Sequence, residues 1–165
     1  MTEFTVLIVD DEEGIRESLA GIFEDEGYVV LTAGSGEETL RVLKDQSPDV
    51  ILLDVWLKGM DGIQTLKEIK DQNPDLPVIM ISGHGNIELA VKATRTGAYD
   101  FLEKPLSLER VLLVARRALE KRTLEMENRA LRENLAKKWK LIGTSQKIKQ
   151  LREQLAGSSS GKEDL

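Results

Sequence analysis

Asp10, Asp11, Asp54, Ser82 and Lys104 are the residues of this 165-residue chain whose types and placement offer chemistry. Each closes or follows a short apolar run: Phe4 to Val9, Pro48 to Leu53, Val78 to Ile81 and Tyr99 to Glu103. Three carboxylates brought together repel one another, and the arrangement is costly unless a cation compensates. An all-oxygen donor set with few protein ligands suits Mg²⁺, which keeps several waters and accepts phosphate oxygens. A lysine adds a point charge that pairs with a carboxylate or a phosphoryl oxygen, and a serine adds a hydroxyl donor. Together the set meets the needs of a phosphoryl group on Asp54: a carboxylate nucleophile, with metal, ammonium and hydroxyl for its three oxygens. Taken singly, each residue has a plainer reading. An aspartate at a strand end is commonly a turn former or a helix cap, Asp10-Asp11 could cap the helix that Glu12-Glu13 begins, and Lys104 alone could be any surface lysine. The weight lies in their joint occurrence at four strand ends.

The elements that must position these groups are readable from periodicity. Phe4 to Val9, Tyr28 to Ala33, Asp49 to Asp54, Val78 to Ser82 and Tyr99 to Glu103 read as strands, and the mostly apolar run closed by Asp54, with turn formers on either side, reads as one buried on both faces of a parallel sheet. Between them lie helical patterns. Glu12 to Glu26 places Ile15, Leu19, Ile22 and Phe23 on one face, with Gly27 as its stop. Ser35 opens a helix with Leu40 and Leu43 inward, and Gly62 to Gln72 carries Ile63, Leu66 and Ile69. Asn86 caps a helix that Gly97 stops. Five strands alternating with helices predict a doubly wound parallel α/β sheet, whose carboxyl edge gathers residues far apart in sequence into one crevice. From Ser107 a longer helix is predicted. Leu108, Val111, Leu112, Ala115 and Leu119 form a stripe for packing on the sheet, followed by Leu124, Asn128, Leu131 and Leu135 at coiled-coil spacing. That second set reads either as a dimer seam with a register-fixing Asn or as a polar linker helix with incidental leucines.

Composition bounds the rest. Hydrophobic residues make up 41% and charged residues 32%, as in a soluble globular chain. There is no cysteine, so neither disulfides nor thiol chemistry arise, and a cytoplasmic location fits. No signal peptide or membrane-length apolar run is visible. Charge is uneven: residues 1–106 hold 9 Lys/Arg against 21 Asp/Glu, and residues 107–165 hold 14 against 8. An acidic domain followed by a different module is implied. The basic part reads as a solvated helix face; no helix-turn-helix is visible, so direct nucleic-acid binding is not expected. His84, the sole histidine, lacks partners for a zinc site and is read as a pocket-rim residue.

Ile8-Val9-Asp10-Asp11-Glu12, Asp49 to Asp54, Gly59-Met60-Asp61-Gly62, Met80 to Gly85 and Gly97 to Pro105 resemble, in order, the receiver domain of bacterial two-component response regulators. Asp54-Val55-Trp56-Leu57 and Ser82-Gly83-His84-Gly85 look most like its NtrX/NtrC-type branch, whose members activate sigma-54-dependent transcription. The resemblance covers residues 4–121 and implies strand order 2-1-3-4-5 with an extended C-terminal helix. It also implies roles. Asp54 is the phosphoacceptor for a sensor histidine kinase. Asp11, Asp54 and the backbone carbonyl of Trp56 ligate Mg²⁺, with Asp10 acting through water. Ser82 and Phe101 form the switch, and Lys104 pairs with the phosphoryl group before a cis Lys104-Pro105 bond. The side chains of Trp56 and His84 influence attack of water on the acyl phosphate. Such a domain is a signalling phosphoacceptor, not a turnover enzyme beyond its own phosphoryl transfer and slow dephosphorylation. A homodimer is implied through the fourth helix, last strand and fifth helix together with the linker helix. Lys58 stands where many relatives have proline, which predicts a looser loop after Asp54; Ser82 replaces a commoner threonine.

The domain reading is receiver at 4–121, helical linker at 122–140, and at 141–165 the start of an ATPase domain and a tail. The stretch Gly157 to Lys162 only faintly echoes a phosphate-binding loop, one residue short of the usual spacing. The chain thus reads as receiver and linker of a larger regulator, without its ATPase and DNA-binding domains. Two rival functions stand beside the phosphorylation switch. A phosphorylation-independent dimerisation module would use the same helix. A Mg²⁺-dependent aspartyl-phosphate phosphohydrolase would need a second acid two residues after Asp54, where Trp56 stands.

Overall fold

Val50–Asp54 (β3) is buried at every position, an apolar tetrad closed by an acid. Its side chains alternate between two cores: Val50 and Leu52 enter one, Ile51 and Leu53 the other. A strand so placed must lie mid-sheet with both faces covered. In the computed structural model, which describes residues 3–143, its neighbours are Thr5–Val9 (β1) and Val78–Ser82 (β4). Val29–Ala33 (β2) and Asp100–Glu103 (β5) form the edges, and the order β2-β1-β3-β4-β5 is parallel throughout. The predicted topology is therefore the one observed.

Five helices cover the sheet: Glu13–Asp25 (α1), Gly36–Asp45 (α2), Gly62–Gln72 (α3), Ile87–Thr96 (α4) and Leu108–Gly143 (α5). Phe23 of α1 and Val111, Val114, Ala115, Ala118 and Leu119 of α5 pack on one face. Leu66 and Ile69 of α3, Ala93 of α4, and Leu40 and Leu43 of α2 pack on the other. The caps fall where the sequence placed them. Ser35 Oγ accepts from Glu38 N at 3.1 Å and Asn86 Oδ1 from Leu89 N at 2.7 Å. Gly97 ends α4 at φ 117°, a left-handed conformation that favours glycine.

The α5 stripe differs by one turn from the expected one. Leu108 is 49% exposed, and Val114 and Ala118 are buried instead. The buried set 111, 114, 115, 118 and 119 follows the i, i+3, i+4, i+7, i+8 pattern of a face laid on a core, and Leu108 lies a turn before it.

Packing divides the chain into Met1–Thr123 and Leu124–Leu165. Within the first unit, an Arg122 guanidinium nitrogen donates to the Pro48 carbonyl at 2.9 Å. Within the second, Leu124, Leu131 and Leu135 are all exposed, as is Asn128. Residues beyond Gly143, where most of the expected ATPase-domain start and the Gly157 to Lys162 stretch fall, lie outside the described residues. Among the described residues, no helix is long and apolar enough to cross a membrane.

Candidate functional site

The parallel register sets the site. Val9 pairs with Leu53, and Asp54 pairs with Ile81, so Asp10, Asp54 and Ser82 leave adjacent strands at one edge. Ser82 pairs with Glu103, and Lys104 follows on β5. Carboxylate oxygens of Asp10, Asp11 and Asp54 all lie within 4.8 Å of one another. Asp10 and Asp54 are buried, whereas Asp11 is half-buried at the mouth.

Lys104 Nζ reaches into this cluster, 3.1 Å from Asp10 Oδ2 and 3.5 Å from Asp54 Oδ2. Burial pulls its ammonium toward neutrality, but the Asp10 hydrogen bond and the charges of Asp54 and Asp10 outweigh that and raise its pKa overall. Burial pushes Asp54 from 3.8 up to about 6, and the Asp10 charge adds to the rise. The Trp56 backbone N–H and the Lys104 ammonium oppose it. Asp54 thus keeps a basic carboxylate that is mostly ionised at neutral pH. One ammonium against three carboxylates leaves net negative charge in a set of hard oxygen donors, which is the chemistry that accepts a small divalent cation such as Mg²⁺.

Local hydrogen bonds hold the frame. Asp10 Oδ1 accepts from Glu12 N at 2.9 Å, turning the chain into α1. Arg16 donates to the Asp10 carbonyl at 2.7 Å. After β3, Trp56 N donates to Asp54 Oδ1 at 3.2 Å, and Gly62 N donates to the Val55 carbonyl at 2.9 Å. Asp61 Oδ1 caps α3 through Gln64 N at 2.7 Å. Met60 N donates to Glu37 Oε1 of α2 at 3.0 Å. The loop that carries Lys58 is thus bonded at Met60 to α2 and at Gly62 to Val55.

Ser82 is fully buried, and its Oγ accepts from Trp56 Nε1 at 3.1 Å and from His84 N at 3.2 Å. His84 itself is exposed, at the rim as expected. Phe101 is half-buried and lies against Gly85, where an added Cβ would stand 2.9 Å from Phe101 Cε1. The Lys104-Pro105 peptide is cis. The structure thus brings together Asp10, Asp11, Asp54 and Lys104, with Ser82 tethered beside them and Phe101 further along β5. Sequence reasoning missed Arg16, Glu37 and the Trp56–Ser82 bond. None of these three carries a motif or a period, since each joins an element to a residue outside it.

Comparisons with known proteins agree with this geometry. The family model described as "Response regulator receiver domain" matches residues 6–116. The nitrogen assimilation regulatory protein NtrX of Azorhizobium caulinodans is 46% identical over 149 residues, 89% of this chain and 33% of that protein. The chain therefore spans about a third of the length of the curated relatives it matches. The receiver domain of NtrX from Brucella abortus is 54% identical with a TM-score of 0.67, covering 70% of this chain and 98% of that one. A beryllofluoride-activated NtrC4 receiver domain dimer, solved in solution, is 47% identical with a TM-score of 0.69, covering 72% of this chain and 98% of its own. A parallel sheet in this order, an acid cluster at its carboxyl edge and a family match across most of its length place the chain in the response regulator receiver domain family, among NtrX-type regulators.

Proposed function

We propose that Asp54 accepts a phosphoryl group from the phosphohistidine of a sensor kinase and that the acyl phosphate switches the domain. The observation that carries this is the placement of a buried carboxylate, held basic by burial, against Lys104 and the Asp10–Asp11 pair. An Asp54 carboxylate oxygen forms the new O–P bond as the P–N bond to the kinase histidine breaks. The imidazole keeps that electron pair and takes up a proton. Lys104, 3.5 Å from Asp54, pairs with a phosphoryl oxygen, and the Ser82 hydroxyl donates to another once the domain has switched. Mg²⁺ would be held by Asp11, Asp54 and the Trp56 carbonyl, with Asp10 acting through water. Bound there, it would neutralise carboxylate charge and bind phosphoryl oxygens.

The output runs through Phe101 and the α4–β5–α5 face to self-association. Ile87 and Val91 of α4 are 83% and 42% exposed, and Leu108 of α5 is 49% exposed, which suits a face that pairs with a second copy. The Leu124–Leu135 stretch extends the same association. In a longer regulator it would govern a sigma-54-dependent activator. Receiver at 4–121, linker at 122–140 and ATPase-domain start from 141 is the domain division that goes with this reading.

The test is incubation with Mg²⁺ and a small phosphodonor, followed by intact mass measurement. One phosphoryl group is expected on the wild type and none on Asp54→Ala. Equal labelling of both, or of neither, overturns the reading. Many turnovers of phosphate release would instead favour a phosphohydrolase.

A further inference from the structure

Trp56 combines two properties that pull in different directions. Its side chain is 55% exposed beside the acid cluster, so burial explains little of its position. Yet its indole N–H donates at 3.1 Å to Ser82, which is fully buried. Its backbone N–H meanwhile donates to Asp54 Oδ1 at 3.2 Å. One residue therefore joins the acid and the hydroxyl, the first through its main chain and the second through its ring.

The Ser82 oxygen is saturated as an acceptor. A hydroxyl has two acceptor lone pairs, and these take Trp56 Nε1–H and His84 N–H. Only its own proton is left to donate. The two bonds differ in what they restrain. The His84 N–H lies only two residues further along the chain, so its bond ties Ser82 to no other element. The Trp56 bond crosses from the loop after β3 to the end of β4, over 26 residues of sequence, and so resists movement of β4's last residue relative to Asp54.

We propose that the Trp56 indole is a latch that holds Ser82 in its resting position and sets how much of the switching energy phosphorylation must supply. This rests on the reading of Asp54 as the phosphoacceptor and of Ser82 as the hydroxyl that moves toward the new phosphoryl group. Trp56 is a positioning residue in this scheme, acting through Ser82. A ligand that binds only the switched state loses affinity by the cost of opening the latch, so removing the latch tightens it. Phenylalanine at 56 keeps an aromatic side chain and the backbone groups and removes the N–H together with the five-membered part of the indole, so the Ser82→Ala background is what isolates the bond.

The experiment uses Mg²⁺ with beryllofluoride on the whole chain, in a Trp139→Phe background that leaves Trp56 as its one indole. Fluorine NMR reports bound beryllofluoride, and the indole N–H resonance reports the latch. On saturation the indole N–H is expected to shift and to exchange faster with solvent. Trp56→Phe is expected to bind beryllofluoride about 2- to 10-fold tighter, the range for loss of one neutral hydrogen bond. The gain is expected to vanish when Ser82→Ala is the background. Bound fluoride with an unmoved indole resonance overturns the latch, as does unchanged or weaker binding by Trp56→Phe or an equal gain with and without the serine. The resonance test needs no variant at a buried position, so it decides even where Ser82→Ala fails to fold. Absence of any bound-fluoride signal in the wild type overturns the phosphoacceptor reading, and the latch with it.

Discussion

Gly62 and Asp54 meet through their backbones. A methyl on the Gly62 α carbon would collide with the Asp54 carbonyl oxygen and would stand 2.6 Å from Val55 Cα. All the obstructing atoms are main chain, so no side chain can swing aside. The first turn of α3 thus abuts the strand end that carries Asp54, the proposed phosphoacceptor. Gly62→Ala is expected to cost about 1–3 kcal/mol, the range for overpacking a close contact. Denaturant titration reads this as a lower midpoint at unchanged slope. Labelling of Asp54 by a small phosphodonor should slow as well, because the displaced atoms carry its carboxylate.

Lys104 offers a second prediction because it sits between two buried acids. Lys104→Met leaves Asp10 and Asp54 without the ammonium that lies 3.1 Å and 3.5 Å away. A divalent cation then has more uncompensated negative charge to bind, so Mg²⁺ affinity measured by calorimetry is expected to rise several-fold. Phosphoryl transfer is expected to fall, on the order of 100-fold, for loss of a charge aimed at the transferring group. Tighter metal with slower chemistry separates this role from a general loss of fold, which would weaken both.

Asp54 makes stability depend on pH in a direction opposite to that of a carboxylate whose pKa is lowered, because burial outweighs its ion pair with Lys104. Its folded pKa, about 6, stands above the ordinary 3.8, so the folded state favours the protonated form. The stability this confers is complete below the ordinary value and is lost as pH rises through the folded one. Without metal, Asp54→Asn is therefore expected to be more stable than the wild type above that pH, by up to about 3 kcal/mol. The two should converge near about pH 4. Mg²⁺ should stabilise the wild type and do little for the variant, because it binds the ionised carboxylate. Thermal melts across pH, with chelator and with Mg²⁺, read all three outcomes.

What could be read beforehand divides along physical lines. The Asp54 strand, the two faces of the sheet and the Ser35 and Asn86 caps follow from short-range rules of period and capping, and they stand where those rules put them. The gathering of Asp10, Asp11, Asp54 and Lys104 was legible because a parallel sheet brings the carboxyl ends of its strands to one edge. Leu108 was assigned inward because it begins a helix at a spacing that fits the stripe. Only packing shows that the buried face starts at Val111. Arg16 on the Asp10 carbonyl, Glu37 on Met60 and Trp56 on Ser82 join side chains to partners outside their own elements. Such pairs depend on where two separate segments meet in space, and neither propensity nor spacing encodes that.

The exposed seam gives the last prediction. Leu124, Leu131 and Leu135 are 66%, 64% and 57% exposed, large apolar groups at intervals that return to one helix face. If that face pairs with a second copy, each leucine is buried twice per dimer, and burial of one such side chain is worth about 1.5–3 kcal/mol. Leu131→Ser is then expected to weaken association by well over tenfold, read by sedimentation of the beryllofluoride-bound chain. Asn128→Leu should strengthen association and broaden the distribution toward higher oligomers, because a buried Asn restricts register and strand number at the expense of stability. A linker helix with incidental leucines would leave both variants sedimenting as the wild type does. Running the series with and without beryllofluoride separates a switch from a standing dimer. A constitutive module shows the same weakening in both states, whereas a switch shows it where the acyl-phosphate mimic has altered the population.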